Sequence, residues 1–169
     1  LFEDAALPNK SLVEQFEAKN HQAALEYLFR YIADKKPINE KLILKLHAIL
    51  MNSIMSSAGF YRDHSVRIAG VFMPTANYLK VPVLMKNLAR DVKKKKSDIV
   101  AHISDIHSRF EKIHPFSDGN GRVGRLLMHA MALRANLPPV VVLQEKRRFY
   151  SLYLNKAQMK DDSSLLEDF

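Results

Sequence analysis

One twelve-residue stretch, His114-Pro115-Phe116-Ser117-Asp118-Gly119-Asn120-Gly121-Arg122-Val123-Gly124-Arg125, gathers an imidazole, a carboxylate, three glycines, an asparagine and two arginines between segments of helical periodicity. Such a set binds an anion and places a proton acceptor beside it. Gly119 and Gly121 can take backbone conformations closed to other residues, so successive N–H groups converge on a phosphate, and the following helix adds its positive end. Arg122 and Arg125 fall on neighbouring positions of that helix's first turn, where two guanidiniums can clamp phosphate oxygens bidentately. Asp118, the only acid of the loop, suits an Mg²⁺ held mostly by phosphate oxygens and water. His114 titrates near neutral pH and is the natural proton acceptor. Each residue alone has an ordinary structural explanation; on one loop together they point to phosphate-group chemistry.

Two other readings of these residues fail on context. Gly119-Asn120-Gly121-Arg122-Val123-Gly124 matches the dinucleotide fingerprint G-x-G-x-x-G, but that motif needs a hydrophobic strand before it, and the preceding segment is helical by period. A zinc site from His102, His107 and His114 fails because His102 and His107, five apart, face different sides of one helix.

The elements that must hold the loop are helical. Leu12, Phe16, Ala23, Leu25, Leu28 and Ile32 predict a first long helix that ends before Pro37. Asn39 reads as the N-cap of a second helix through Leu42, Leu46, Ile49, Leu50 and Ile54, stopping by Gly59. From there the period is lost, and Val66-Arg67-Ile68 with Gly70, Pro74 and Tyr78-Leu79 reads as a short hairpin or extended flap over about 66–81. A third helix follows from Pro82. Ser97 or Asp98 caps a fourth, carrying Ile99, Ile103, Ile106, Phe110 and Ile113 and delivering the chain to His114. Val123, Leu126, Leu127, Ala130, Met131 and Leu133 predict an apolar, central fifth helix ended near Asn136 and Pro138. Phe149, Tyr150, Tyr153, Leu154 and Ala157 mark a sixth, and 163–169 the start of a seventh. The expected class is all-α with a short β-hairpin flap, in a single domain over 1–169 with its core at about 39–159.

Composition bounds the rest. The 169 residues, 47% hydrophobic and 26% charged, suit one globular domain. With no cysteine there is neither a disulfide framework nor a thiolate site, which fits a cytoplasmic protein, one delivered into another cell included. No apolar stretch approaches the ~20 residues of a membrane helix, so no membrane partner is expected. The opening Leu1 is compatible with a piece of a longer protein. Lys plus Arg exceed Asp plus Glu by 26 to 18, a net +8, which raises nucleic acid as a partner. The densest run, Lys93-Lys94-Lys95-Lys96, lacks interleaved aromatics and reads instead as a solvated helix end, so nucleic acid is not the expected partner.

His114 to Arg125 resembles the signature H-P-F-x-D-G-N-G-R-x-x-R of Fic proteins at every fixed position. The resemblance extends over nearly the whole chain. Asn20-His21 with Ala24, Tyr27 and Leu28 is similar to the family's N-H-x-x-A-x-x-Y-L helix, and Gly59-Phe60-Tyr61-Arg62 to its G-x-Y-R element. Val66 to Met85 resembles the flap and the V-P-x-L-M segment after it, and Arg147, Tyr150, Leu154 and Ala157 match a downstream R-x-x-Y-x-x-x-L-x-x-A helix. The resemblance implies a Fic-type helical bundle that transfers AMP from ATP to a Tyr, Thr or Ser hydroxyl of a target protein and releases pyrophosphate. It implies that His114 is the base, that Asp118 binds Mg²⁺, that Gly119, Asn120 and Gly121 cradle phosphates, and that Arg122 and Arg125 stabilise the leaving charge. Phe116 would anchor the loop. Tyr150 and Gln158 fall on the adenine side, where many members carry Tyr-Tyr and Asn. Flap residues Ile68, Gly70, Val71 and Phe72 would dock the target as an added strand.

Many members are restrained by a helix bearing [S/T]-x-x-x-E-[G/N] whose Glu pairs with the second arginine, and the resemblance is compatible with a regulatory segment or an antitoxin-like partner. Ser163 to Glu167 has that spacing, but Asp168 follows it, and the segment reads as the last core helix. A homo-oligomer is compatible with the sequence. The alternatives are transfer of another phosphate-containing group and a non-catalytic nucleotide-binding or partner-docking module.

Overall fold

The structure, a computed structural model, describes residues 10–68, 74–160 and 162–167. Among them the helices are α1 (Leu12–Ala33), α2 (Glu40–Leu50), α3 (Val81–Asp91), α4 (Ile99–Ile113), α5 (Asn120–Arg134), α6 (Arg147–Lys160) and a single turn, α7 (Ser164–Glu167). Their starts follow from local chemistry. Ser11 and Glu14 form a reciprocal capping box on α1, Asn39 accepts from the Leu42 N–H at α2, and Asp98 accepts from the Ala101 N–H at α4. Helix α5 ends with Asn136 at φ 60°, its N–H bonded to Leu133 O at 3.1 Å and the next N–H, of Leu137, to Ala132 O at 2.9 Å. That is a left-handed cap with both orphan carbonyls satisfied.

Helix α2 is shorter than its periodicity suggests. It stops at Leu50 because Asn20 of α1, only 7% exposed, donates its side-chain amide to Leu50 O at 3.2 Å and to Asn52 O at 2.7 Å. The carbonyls that a continuing helix would use are thereby taken, and Ile54 lies in the turns beyond.

Helix α5 is central, packed against α4, α1 and α2. Val123, Leu126, Leu127, Ala130 and Met131 are buried there against Leu28 of α1, Leu42, Ile43, Leu46 and Leu50 of α2, and Ile106 and Phe110 of α4. Helices α6 and α7 lie on α4. Tyr150 and Ala157 of α6 are buried, whereas Phe149, expected on the apolar face, is 54% exposed.

No β-strand occurs among the described residues. The expected flap shows one antiparallel bridge, Arg67 to Pro74, beside which Thr75 Oγ1 donates to Val66 O at 2.9 Å. Its far end is a correction: Tyr78–Lys80 is a 3-10 turn that runs into α3, because the Asn77 side chain accepts from the Leu79 N–H and Pro82 suits a helix's first turn. Gly70, Val71 and Phe72 lie outside the described residues. None of the described helices is long and apolar enough to cross a membrane.

Candidate active site

His114 is the C-cap of α4, and its backbone is left-handed at φ 51° and ψ 63°. A non-glycine residue seldom holds that conformation unless its surroundings fix it. Arg62 fixes it. This arginine, 4% exposed, donates through Nε to His114 O at 2.7 Å and through its terminal nitrogens to His64 O at 2.7 Å, Ala76 O at 2.5 Å and Ile113 O at 3.3 Å. Its backbone N–H also bonds Pro115 O at 3.0 Å. One guanidinium therefore ties the end of α4, the loop and both flanks of the flap.

The loop is pinned from a second side by α2. His47, fully buried, stacks on Phe116 at 3.7 Å between ring centres and 8° between planes. Its Nδ1 accepts from the Gly59 N–H at 2.9 Å, which fixes the tautomer, so Nε2 donates to Asp118 O at 3.1 Å. Burial depresses its pKa to about 4, so it is neutral at physiological pH. Phe116 is likewise fully buried, as expected of an anchor. Asn120, 2% exposed, closes the loop from within, accepting from the Phe116 N–H and donating to Phe116 O, both at 2.8 Å. Its side chain is thus committed to the loop, and only its backbone N–H can face an anion.

Two residues of the anion site owe their arrangement to this bracing. Gly119 sits at φ 77°, where a Cβ would lie 3.0 Å from the Met51 sulfur, and it caps α5 without a side-chain acceptor. The first N–H groups of α5 therefore have no side-chain cap among the described residues and point out of the helix's N-terminal end, where an anion can bind. Asp118 Oδ1 accepts from the Gly119 N–H at 2.6 Å, and Oδ2 lies 3.3 Å from Arg122, whose other terminal nitrogen is 2.7 Å from Glu17 of α1. Arg125 stands over Gly121, where a Cβ would come within 3.2 Å of a guanidinium nitrogen.

His114 itself is arranged as a base. Nδ1 lies 3.3 Å from Glu111 O, a carbonyl that can only accept, so Nδ1 carries the proton and Nε2 keeps its lone pair. Burial, reinforced by the nearby Arg62 charge, lowers its pKa below the ordinary value and keeps the ring neutral.

Three further sequence candidates come from α6 and the flap. Tyr150 and Gln158 are 7% and 3% exposed. The Tyr150 hydroxyl is 2.6 Å from Nε2 of His107 and lies against Arg125, and the residue lines a small cavity together with Met128 and Val140. Ile68 is half-buried at the base of the flap. An open cavity of about 590 Å³ adjoins the flap and α4, bounded by Thr75, Ala76, Arg109, Ile113 and Ala157. Sequence reasoning gave His47 no role; its signal was an apolar-face position beside Leu46 and three before Leu50.

Comparison with known proteins agrees with this geometry. The model of the Fic/DOC family matches residues 37–132. A protein adenylyltransferase Fic of Nematostella vectensis is 32% identical over 92% of this chain and 37% of its own length, and one of Aedes aegypti is 31% identical over 92% and 32%. The chain thus spans about a third of the length of these curated relatives. Among solved structures, Fic-1 (residues 134–508) of C. elegans superposes with a TM-score of 0.86 at 25% identity, over 97% of this chain and 49% of that one. A Fic domain containing signaling protein of Bacteroides thetaiotaomicron gives 0.83 at 25%, over 96% and 68%. The loop, its bracing helices and a family match across more than half of the sequence agree, and the chain belongs to the Fic/DOC family.

Proposed function

We propose that this chain is the catalytic domain of a protein adenylyltransferase, moving AMP from ATP to a hydroxyl side chain of a target protein with release of pyrophosphate. The observation that carries the reading is a neutral His114, its Nε2 lone pair left available, beside an uncapped helix N-terminus flanked by Arg122 and Arg125. Binding alone would need the donors but not the base.

The chemistry follows from those positions. His114 Nε2 takes the proton of the target hydroxyl while its oxygen bonds to the α-phosphorus, and the α-phosphorus–oxygen bond to pyrophosphate breaks, the electron pair leaving with pyrophosphate. The N–H groups of Asn120, Gly121 and Arg122 and the two guanidiniums stabilise the charge that develops on the phosphates. Because Asn120, His47 and Arg62 fix these groups beforehand, little reorganisation is needed during transfer. The cavity bounded by Thr75, Ala76 and Ala157 has room for a nucleoside, and the Arg67 to Pro74 bridge offers a base on which a target segment adds as an edge strand.

Asp118 fits a magnesium ion of the kind held mainly by substrate phosphates: its side chain is 64% exposed, and among the described residues no three acidic, histidine or cysteine side chains converge to cage a metal alone. Bound there, the ion would neutralise phosphate charge.

Incubation with a candidate target and ATP labelled separately at the α and γ phosphates tests the reading. Protein label from the α position alone is expected; label from γ, or none in the presence of a modifiable target, overturns it.

A further inference from the structure

Glu111 is a carboxylic acid that this reaction leaves unused, although it lies against the reacting imidazole. It is 6% exposed, three residues before His114 on α4, and its Oε2 is 4.0 Å from His114 Nδ1. Its Oε1 has no hydrogen-bond partner among the described residues. An apolar side chain would fill this volume without the cost of burying an incompletely bonded acid, so stability does not account for it.

The surroundings make room for that acid. Gly124 of α5 faces it so closely that a Cβ there would overlap Oε1, and would come within 3.1 Å of His107 and Phe110 as well. The groups facing the carboxyl are His114 from the loop, His107 from α4 itself, Arg125 from α5 and Tyr150 from α6; Glu167 of α7 lines a small cavity with His107 and Tyr150. His114 is faced also by Arg62 and Asp118.

We propose that Glu111 is a positioning residue for His114, its carboxylate stabilising the imidazolium that forms when Nε2 accepts the hydroxyl proton. The inference rests on the transferase reading above. In the transfer step the proton leaves the target oxygen for Nε2, that oxygen bonds to the α-phosphorus and pyrophosphate departs; Glu111 neither gains nor loses an atom. The Glu111 carbonyl holds Nδ1–H in place, and the same residue's carboxylate supplies the opposing charge in a site where water does not screen it. Burial raises the Glu111 pKa to about 7 against the opposing Arg125 charge, while that of His114 is depressed. The transfer rate therefore rises with pH as the carboxylate forms near 7.

The test is E111Q, which keeps the volume and removes the charge. Its plateau rate should fall roughly ten- to hundred-fold, the size seen for groups that orient a functional histidine from behind, with KM for ATP little changed. Its acid limb should move below that of the wild type, to the ionisation of His114 alone. In the wild type the His114 ring nitrogens should show an NMR chemical-shift step near pH 7 as Glu111 ionises beside the neutral ring, and E111Q should lack that step. Should E111Q not fold, the wild-type enzyme serves instead: its acid limb and the Glu111 carboxyl carbon should titrate together. An unmoved limb in E111Q overturns the proposal even if the rate is low, as does a Glu111 titration that does not coincide with the wild-type limb. A wild-type protein that transfers no label refutes the transferase reading, while the shift step still decides whether the His114 ring senses the Glu111 charge.

Discussion

The loop from His114 to Asn120 and the described base of the flap, 66–68 and 74–76, both meet Arg62, yet among the described residues the first is tied at nearly every position and the second at fewer. Arg62, His47 and Asn120 together engage the backbone of Ile113, His114, Pro115, Phe116 and Asp118. Among the described residues the flap base has one bridge, the Thr75 hydroxyl bond and the Arg62 contacts at His64 and Ala76. Phosphoryl-type transfer depends on donors held to a fraction of an ångström. An added target strand is recognised through repeating backbone groups and needs no such fixity at each side chain.

His114→Ala gives the largest expected effect, because the loop's bracing has value only if it presents a base. Transfer should fall by ~10²–10⁴, whereas nucleotide affinity, measured by calorimetry, should stay close to wild type because the donors remain. Undiminished transfer would mean that the bracing serves binding only.

Arg62→Met sharpens the comparison by removing the tie common to both regions. Four carbonyls lose a charged donor in a buried site, so stability should drop by about 3 kcal/mol in chemical unfolding. In any folded fraction the His114 pKa should rise towards its ordinary value, since the Arg62 charge depresses it.

Acidification should loosen the loop before the flap. His47 has its pKa depressed from 6.5 to about 4, so the unfolded chain binds a proton that the folded one refuses. Its contribution is fully present above pH 6.5 and is lost as pH falls from there towards 4, about 3 kcal/mol across the window. Calorimetric melting at pH 7 and pH 4.5 checks the sign; equal stability would show that His47 does not hold the loop through its neutral form.

Thr75→Val, at the flap base, should have the smallest effect: under ~1 kcal/mol in stability, with any loss appearing in KM for the protein target rather than for ATP. A large fall in kcat would mean that the flap is as finely positioned as the loop.

Much of this arrangement could be read from the chain. The start of α2 at Asn39, of α4 at Asp98 and the end of α5 at Asn136 were legible because caps act over a few residues. The anion site was legible for the same reason, its glycines, acid, imidazole and arginines being neighbours along twelve residues. The end of α2 was not, since the donors that stop it come from Asn20, thirty residues earlier. Glu111 was equally hidden: in a helical wheel it is one more charged residue, and only the approach of Gly124 and His114 makes it a buried acid beside the base.

By itself the sequence determined the helical class, the helix starts and the chemical inventory of the loop, because short-range spacing encodes periodicity, capping and local donor sets. The tertiary structure alone decided which tautomer His114 holds, which partners Arg62, His47 and Asn120 serve, and that Tyr150 and Gln158 are buried. Those properties depend on desolvation and on hydrogen bonds between residues far apart in the chain, and neither exists until the helices have packed.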